Sequence, residues 1–510
     1  MESPPAESPL SSKNQNSDQH ADAAIRYLYI GHFLSRWGTR MWEFSVALYM
    51  INLWPDSLFL AAVYGMVDSA SIALFGPLIG SWVDYYPYLI VVKVWLFAQN
   101  LSFLIAGGAV IALLLALHDD GKVGEGKKMA FLLMVFVINV SGAVGVLSTL
   151  AGTILVEREW VVVISQTHSE EFLTRMNSVI RRIDLFCKLG APVVSGFIIS
   201  FASLIASALS LALWNVLSVC LQYWLFMSVY YGIPALSETC SRKRAIKKSS
   251  TEDIEMIPLN HSEEECDKGY ELKCTNLLRK LMRISCVSAW KVYLKQDVVL
   301  SGVSLALLYF NVLSFGTLMT AALEWERIPV YIIGIGRGIS AIIGILATFL
   351  YPILESRLSS SVPAGFSSVW SQWTCLLICA ASIWIPDRFA SACTLMGGVA
   401  LSRLGLWMFD LSVIQQMQDQ VPESERCVVG GVQNSLQSIF DLITYVMGMI
   451  ISDPKDFWKL ILISLLVVTH AAALYSLHVY RERAGKNTLW FDPTKTCAYQ
   501  LVPVAQHQSS

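Results

Sequence analysis

Three ionisable residues interrupt an otherwise apolar stretch near the start of the chain: Arg36, Arg40 and Glu43, within Ser35-Arg36-Trp37-Gly38-Thr39-Arg40-Met41-Trp42-Glu43. Their i, i+4 and i+7 spacing puts them on one stripe of a helix, with Thr39 beside Glu43. A carboxylate in such a place can ligate a cation or be satisfied by its own arginines, and the spacing permits both. Amide donors and acceptors recur in other apolar runs, at Gln99-Asn100, Asn215 and Gln222, where they can serve solute binding or interhelical hydrogen bonding. Of eight histidines, His32, His470 and His478 lie in or near apolar runs, and imidazole is the commonest transition-metal side chain. His478 is equally suited to an interfacial position. No H-x-x-x-H array and no G-x-x-x-x-G-K-[ST] loop occurs, so neither di-iron or metalloprotease chemistry nor direct use of ATP has residues to stand on. The chemistry on offer is ligation and passage of a charged solute. No enzyme is indicated and no cofactor is expected.

Such residues are positioned by apolar helices. The 510 residues are 55% hydrophobic and 15% charged, against about a quarter charged in a soluble domain. A membrane helix needs about 20 predominantly apolar residues, and twelve runs fit: 25–52, 57–82, 88–117, 129–155, 173–203 and 207–232, then 294–323, 327–354, 366–385, 389–418, 426–452 and 457–482. The fifth carries Arg181, Arg182 and Asp184 near its start. In the seventh, Gly316 offers a break that would free backbone carbonyls near Thr317. The expected organisation is a disordered tail over 1–24, an N-lobe over 25–232, a charged linker over 233–293, a C-lobe over 294–482 and a second tail over 483–510. Basic residues flank the linker at Arg242, Lys243, Arg244, Lys247 and Lys248 and again at Arg279, Lys280 and Arg283, which places it and both termini in the cytoplasm. Lys122, Lys127 and Lys128 fall on the other side and oppose that assignment.

Six spans, a cytoplasmic linker and six spans make an all-α, polytopic membrane protein with the two-lobed plan of major-facilitator-like secondary carriers, whose site lies between the lobes. With 37 basic and 39 acidic residues the net charge is −2, which excludes nucleic acid as a partner and leaves membrane lipid as the surrounding medium. Eleven scattered cysteines form no zinc motif and no secreted disulfide framework.

The chain resembles the ferroportin family, and most of all its plant branch. An ordered series carries the resemblance from about residue 26 to 490. It includes Leu28-Tyr29-Ile30-Gly31-His32, Ala62-Val63-Tyr64-Gly65, Gln99-Asn100, Val156-Glu157-Arg158-Glu159-Trp160, Ile180-Arg181-Arg182-Ile183-Asp184, Phe409-Asp410-Leu411, and Glu423-Ser424-Glu425-Arg426 followed by Gly431-Val432-Gln433-Asn434-Ser435. The resemblance implies a carrier that moves ferrous iron, with cobalt or nickel as further substrates, out of the cytosol by alternating access across the plasma or vacuolar membrane. It implies an N-lobe metal site at Thr39 and Glu43 and a C-lobe site at Thr317 and His478, with Gly316 at the helix break and Gln99, Asn100, Asn215 and Gln222 as supporting polar groups. The animal family's thiolate is a threonine here, so its hepcidin-type peptide hormone is not an expected partner, and calcium is not carried over. The family's cytoplasmic gate corresponds to Asp84, Glu159, Arg181, Arg182, Asp184 and Arg426, with ion pairs expected between the acids and the arginines; Tyr88 stands where the family has a basic gate residue. The alternatives are an organic-cation carrier of the same fold and a non-transporting scaffold or receptor working through the linker.

Overall fold

The computed structural model describes residues 9–53, 59–119, 125–166, 170–201, 204–242, 286–310, 330–358, 360–451 and 456–490, with isolated positions between 312 and 328. In the N-terminal half the helices are α1 (Pro9–Leu53), α2 (Phe59–Tyr85), α3 (Tyr88–Asp119), α4 (Glu125–Thr153), α5 (Val161–Ser165), α6 (Glu170–Phe201) and α7 (Leu204–Gly232). A π-helical turn, Ile154–Trp160, joins α4 to α5 without a break. The second half has α8 (Cys286–Leu294), α9 (Val299–Leu307), α10 (Val330–Leu358), α11 (Ser361–Ala381), α12 (Arg388–Gln420), α13 (Arg426–Ile450) and α14 (Phe457–Trp490). No strand occurs among the described residues.

Helix boundaries follow local chemistry. Asp387 caps α12 by accepting from the Ala390 amide at 2.7 Å, directly after the Pro386 break, and Ser360 caps α11. Gly232 ends α7 before Pro234. Two boundaries differ from expectation. The first helix starts at Pro9, so 9–24 is helical rather than a disordered tail; neither glycine nor proline interrupts the chain between Pro9 and Gly31, and the span's helix propagates backward. The seventh run breaks earlier than Gly316. Its helix ends at Leu307, and the next three amides, of Leu308, Tyr309 and Phe310, bond three residues back to Leu305, Ala306 and Leu307. Gly316 and Thr317 lie outside the described residues. One carbonyl freed beyond the break, that of Leu313, accepts from Arg403 Nη2 at 2.8 Å.

The helices group as two lobes. In the N-lobe α1 packs on α6 and α7, α3 on α4 and α7, and α2 on α4; in the C-lobe α12 packs on α10 and α11, and α14 on α9 and α11. Eight described helical segments are long and apolar enough to cross a bilayer, and their outer faces carry exposed Phe97, Leu133, Phe136, Leu217 and Ile342 as a lipid-facing surface requires. The first, fifth and eleventh runs carry more polar residues than these eight, and all three help to line the space between the lobes.

The main seam between lobes runs along α2 and α13. Glycines permit it. A Cβ at Gly76 would sit 2.8 Å from the Gly431 carbonyl oxygen, one at Gly431 would overlap the Gly76 carbonyl, and one at Gly80 would overlap the Cys427 carbonyl. Only backbone can meet backbone this closely.

Candidate functional site

Where α1, the π turn, α6, α9, α12 and α13 converge, a cavity of about 440 Å³ lies between the lobes. α1 contributes Arg36, Thr39, Arg40 and Glu43; the π turn contributes Glu157 and Arg158. A π turn widens the helix by one residue, so three consecutive charged residues there can serve three directions. Glu157 pairs with Arg36 at 2.9 Å, Arg158 is buried against the cavity, and Glu159 turns toward Tyr88.

Most of the cavity's charge is already paired. Arg40 Nη1 lies 2.7 Å from Glu43 Oε2, and its Nη2 lies 3.3 Å from Asp184 Oδ1. Arg36 Nε also reaches Asp184, at 3.6 Å. Buried charges are tolerated when paired in this manner, since each partner replaces lost hydration. Glu43 keeps 43% of its side chain exposed, the largest share among these paired carboxylates, and so can still meet a solute. Thr39 lines the same cavity one turn away, but its hydroxyl is engaged twice: it donates to the Ser35 carbonyl at 3.0 Å and accepts from Gln99 Nε2 at 2.9 Å. Trp95 Nε1 in turn donates to Gln99 Oε1 at 2.7 Å. Gln99 is therefore a brace behind Thr39. Asn100 donates back to the Leu96 carbonyl, and buried Asn215 stands where a Cβ on Gly38 would come within 3.3 Å of its Oδ1. Gln222, also buried, is on the same helix as Asn215. These amides pack helices rather than line the cavity.

His478 does not join the site. It sits on α14 against the Tyr475 ring at 5.7 Å, is buried, is absent from the cavity lining, and its Nε2 has no hydrogen-bond partner. Helix phase decides this: Tyr475, one turn earlier on the same face, points into the C-lobe core, where its hydroxyl meets Gln416 and the Val362 carbonyl. Thr317, the other member of the expected C-lobe pair, lies outside the described residues.

At the end nearer the linker the lobes close on one another; of the expected acid–arginine pairs Arg181 with Asp184 forms within one helix, and the contacts across the lobes are others. Arg181 of α6 pairs across the interface with Asp410 of α12 at 2.5 Å and, within its own helix, approaches Asp184 at 3.8 Å. Arg182 pairs with no acid among the described residues; it donates to the Thr348 hydroxyl and carbonyl, each at 3.1 Å, with its guanidinium 3.7 Å over the Phe349 ring. Arg426 is buried with no ion pair among the described residues, and its Nε and Nη1 have no hydrogen-bond partner. Asp84, Glu159 and Cys427 form a cluster whose donor atoms lie within 4.8 Å of one another. There Glu159 accepts from the Tyr88 hydroxyl at 2.8 Å and from the Cys427 thiol at 3.3 Å, so at Tyr88 a phenol meets this acid. Amides complete the closure: Asn177 Nδ2 donates to Gln418 Oε1 at 2.5 Å, and Gln418 Nε2 donates to the Glu157 carbonyl. Arg242 pairs with Glu423 at the rim, and the Ser435 hydroxyl donates to the Ala73 carbonyl in the seam.

Asp410, Glu157, Gln418 and Asn177 were within reach of sequence reasoning as polar residues in apolar runs. Their partners, more than 200 residues away in three of these contacts, were not.

The Ferroportin1 family model matches residues 22–468. Over 464 residues the chain is 56% identical to solute carrier family 40 member 2 of Arabidopsis thaliana, covering 89% of this chain and 90% of that one. It is 30% identical over 536 residues to human ferroportin, with 91% of each covered. Among solved structures it superimposes on a bacterial homologue of the iron transporter ferroportin in the outward-facing state with TM-score 0.72 at 23% identity, covering 90% of this chain and 99% of that chain; against the inward-facing state the score is 0.58. Long apolar helices in two lobes, a charged cavity between them and a family match over residues 22–468 agree: this protein belongs to the ferroportin family of iron transporters and is a multi-pass membrane protein with the two-lobed, facilitator-like fold.

Proposed function

We propose that this protein exports ferrous iron from the cytosol, and accepts cobalt and nickel, by alternating access of one inter-lobe cavity across the plasma or vacuolar membrane. The observation that carries the reading is the cavity itself: a polar chamber of about 440 Å³ at the lobe interface, holding Glu43 and Thr39, with direct inter-lobe contacts shutting the end nearer the linker. In a carrier of this plan the substrate site lies at the repeat interface, and rocking of the lobes exposes it to each side in turn. With the linker in the cytoplasm, the closed end is the cytoplasmic one, and the higher similarity to the outward-facing bacterial homologue agrees with that state. Glu43 is the N-lobe contact for the cation, and Arg40 is its counter-charge when no cation is bound. A divalent ion at Glu43 competes with the guanidinium, so binding is coupled to Asp184, which shares Arg40.

Reconstitution into sealed vesicles tests the proposal. Saturable cobalt movement that ferrous iron and nickel inhibit, and that an organic cation does not, is the expected result. Correctly inserted protein that moves no divalent metal would defeat it.

A further inference from the structure

Five carboxylates line the cavity: Glu43, Glu157, Asp184, Asp410 and Asp441. Four are held by arginine, Glu43 by Arg40, Glu157 by Arg36, Asp184 by both, and Asp410 by Arg181. Asp441, on α13 of the C-lobe, is the exception. No lysine or arginine pairs with it among the described residues. Its Oδ2 accepts a single long hydrogen bond, 3.3 Å, from the Ser69 hydroxyl of α2 in the other lobe. The same lining carries six cationic groups, Arg36, Arg40, Arg158, Arg181, Lys188 and Arg403, so the cavity as a whole presents no negative field to a divalent ion. A carboxylate whose charge is not already neutralised attracts a cation most readily, because an acid salt-bridged to a guanidinium, as Glu43 is, has to give up that partner first.

We infer that Asp441 is the C-lobe carboxylate that contacts the transported cation. The inference rests on the cavity being a metal path. Gln437 and Ser438, which precede Asp441 on α13 and also line the cavity, offer further oxygen donors. An all-oxygen set suits ferrous, manganous and cobaltous ions and lacks the thiolate that favours soft copper or cadmium. Occupancy is also tied to lobe movement. Ser69 and Asp441 join the two lobes, and a cation that takes the carboxylate removes the acceptor of that bond.

The test uses the full chain in vesicles, with cobalt as probe for both calorimetric binding and transport. Asp441→Asn should weaken cobalt binding by about tenfold or more, since even partners behind a metal ligand typically cost that much. Asp441→Glu should restore most of the affinity, and Ser69→Ala should leave binding near wild type. Unchanged affinity in Asp441→Asn overturns the inference. So does a Ser69→Ala loss as large as that of Asp441→Asn, because Asp441 would then act only as a lobe latch. Wild-type protein that neither binds nor moves cobalt overturns the metal reading of the cavity and this inference with it, whereas a competent wild type with an indifferent Asp441→Asn overturns the inference alone.

Discussion

Glu43 shows how much a single side chain can report about the site. It is paired with Arg40 at 2.7 Å yet keeps 43% of its side chain open to the cavity. Glu43→Gln should therefore weaken cobalt binding at the N-lobe by about tenfold. Arg40→Gln should instead strengthen cobalt binding at Glu43 while leaving Asp184 with Arg36; equal affinities in both variants would remove Glu43 from the site. The pair Arg181 and Asp410 belongs to the closure rather than to binding. Asp410 is buried, Arg181 is 15% exposed and the two lie 2.5 Å apart across the lobes, so removing the arginine, which leaves a buried carboxylate unpaired, should cost the closed state about 3 kcal/mol. Arg181→Gln and Asp410→Asn are each expected to raise labelling of cysteines at the linker side, and the double variant should label less than either single one. Additive single effects would show that the two residues do not act as a pair.

Among the elements, α2 and α13 are matched by their glycines. The carbonyl of Cys427 lies where a Cβ on Gly80 would be, and no flexible side-chain end is available there to give way. Gly80→Val should hold α2 and α13 apart, abolishing transport while cobalt binding to Glu43 from solution persists. A distance measured between spin labels on the two helices should lengthen; native spacing with native transport would contradict the role given to the seam. The π turn is a second device of this kind. It lets Glu157, Arg158 and Glu159 face a salt bridge, the cavity and the Tyr88 phenol in succession, which a regular helix of 100° per residue does not do in the same way. Neither the π turn nor the early end of α9 has a marker in residue types. No proline lies within Ile154–Trp160 or beside Leu307, and the Gly316 break was inferred from a residue that permits one rather than from contacts that require it.

For the whole molecule, alternating access requires that the linker-side contacts separate in every cycle. Asn177 and Gln418 touch side chain to side chain across the lobes. Cysteines at both positions, bridged by a short bifunctional thiol reagent, should stop transport completely and reversibly while cobalt still binds; continued transport by the bridged protein would mean that the lobes do not part there.

The sequence by itself determined the all-helical fold class, the two-lobed plan and the placing of Glu43 and Thr39 on one helix that reaches the cavity. The physical reason is that bilayer thickness demands long apolar helices and makes every ionisable residue within them conspicuous. Polar residues inside an apolar run are informative too, because they must face protein or water. Partner choice was decided only by the tertiary structure. Asp410 rather than Asp84 or Glu159 receives Arg181, Arg182 finds a hydroxyl and a carbonyl, and His478 follows Tyr475 away from the cavity. Which acid an arginine meets depends on the rotation and register of helices more than 200 residues apart in sequence, and those are set by packing at contacts such as Gly80 against Cys427, where the absence of a side chain, not the chemistry of one, brings the lobes together.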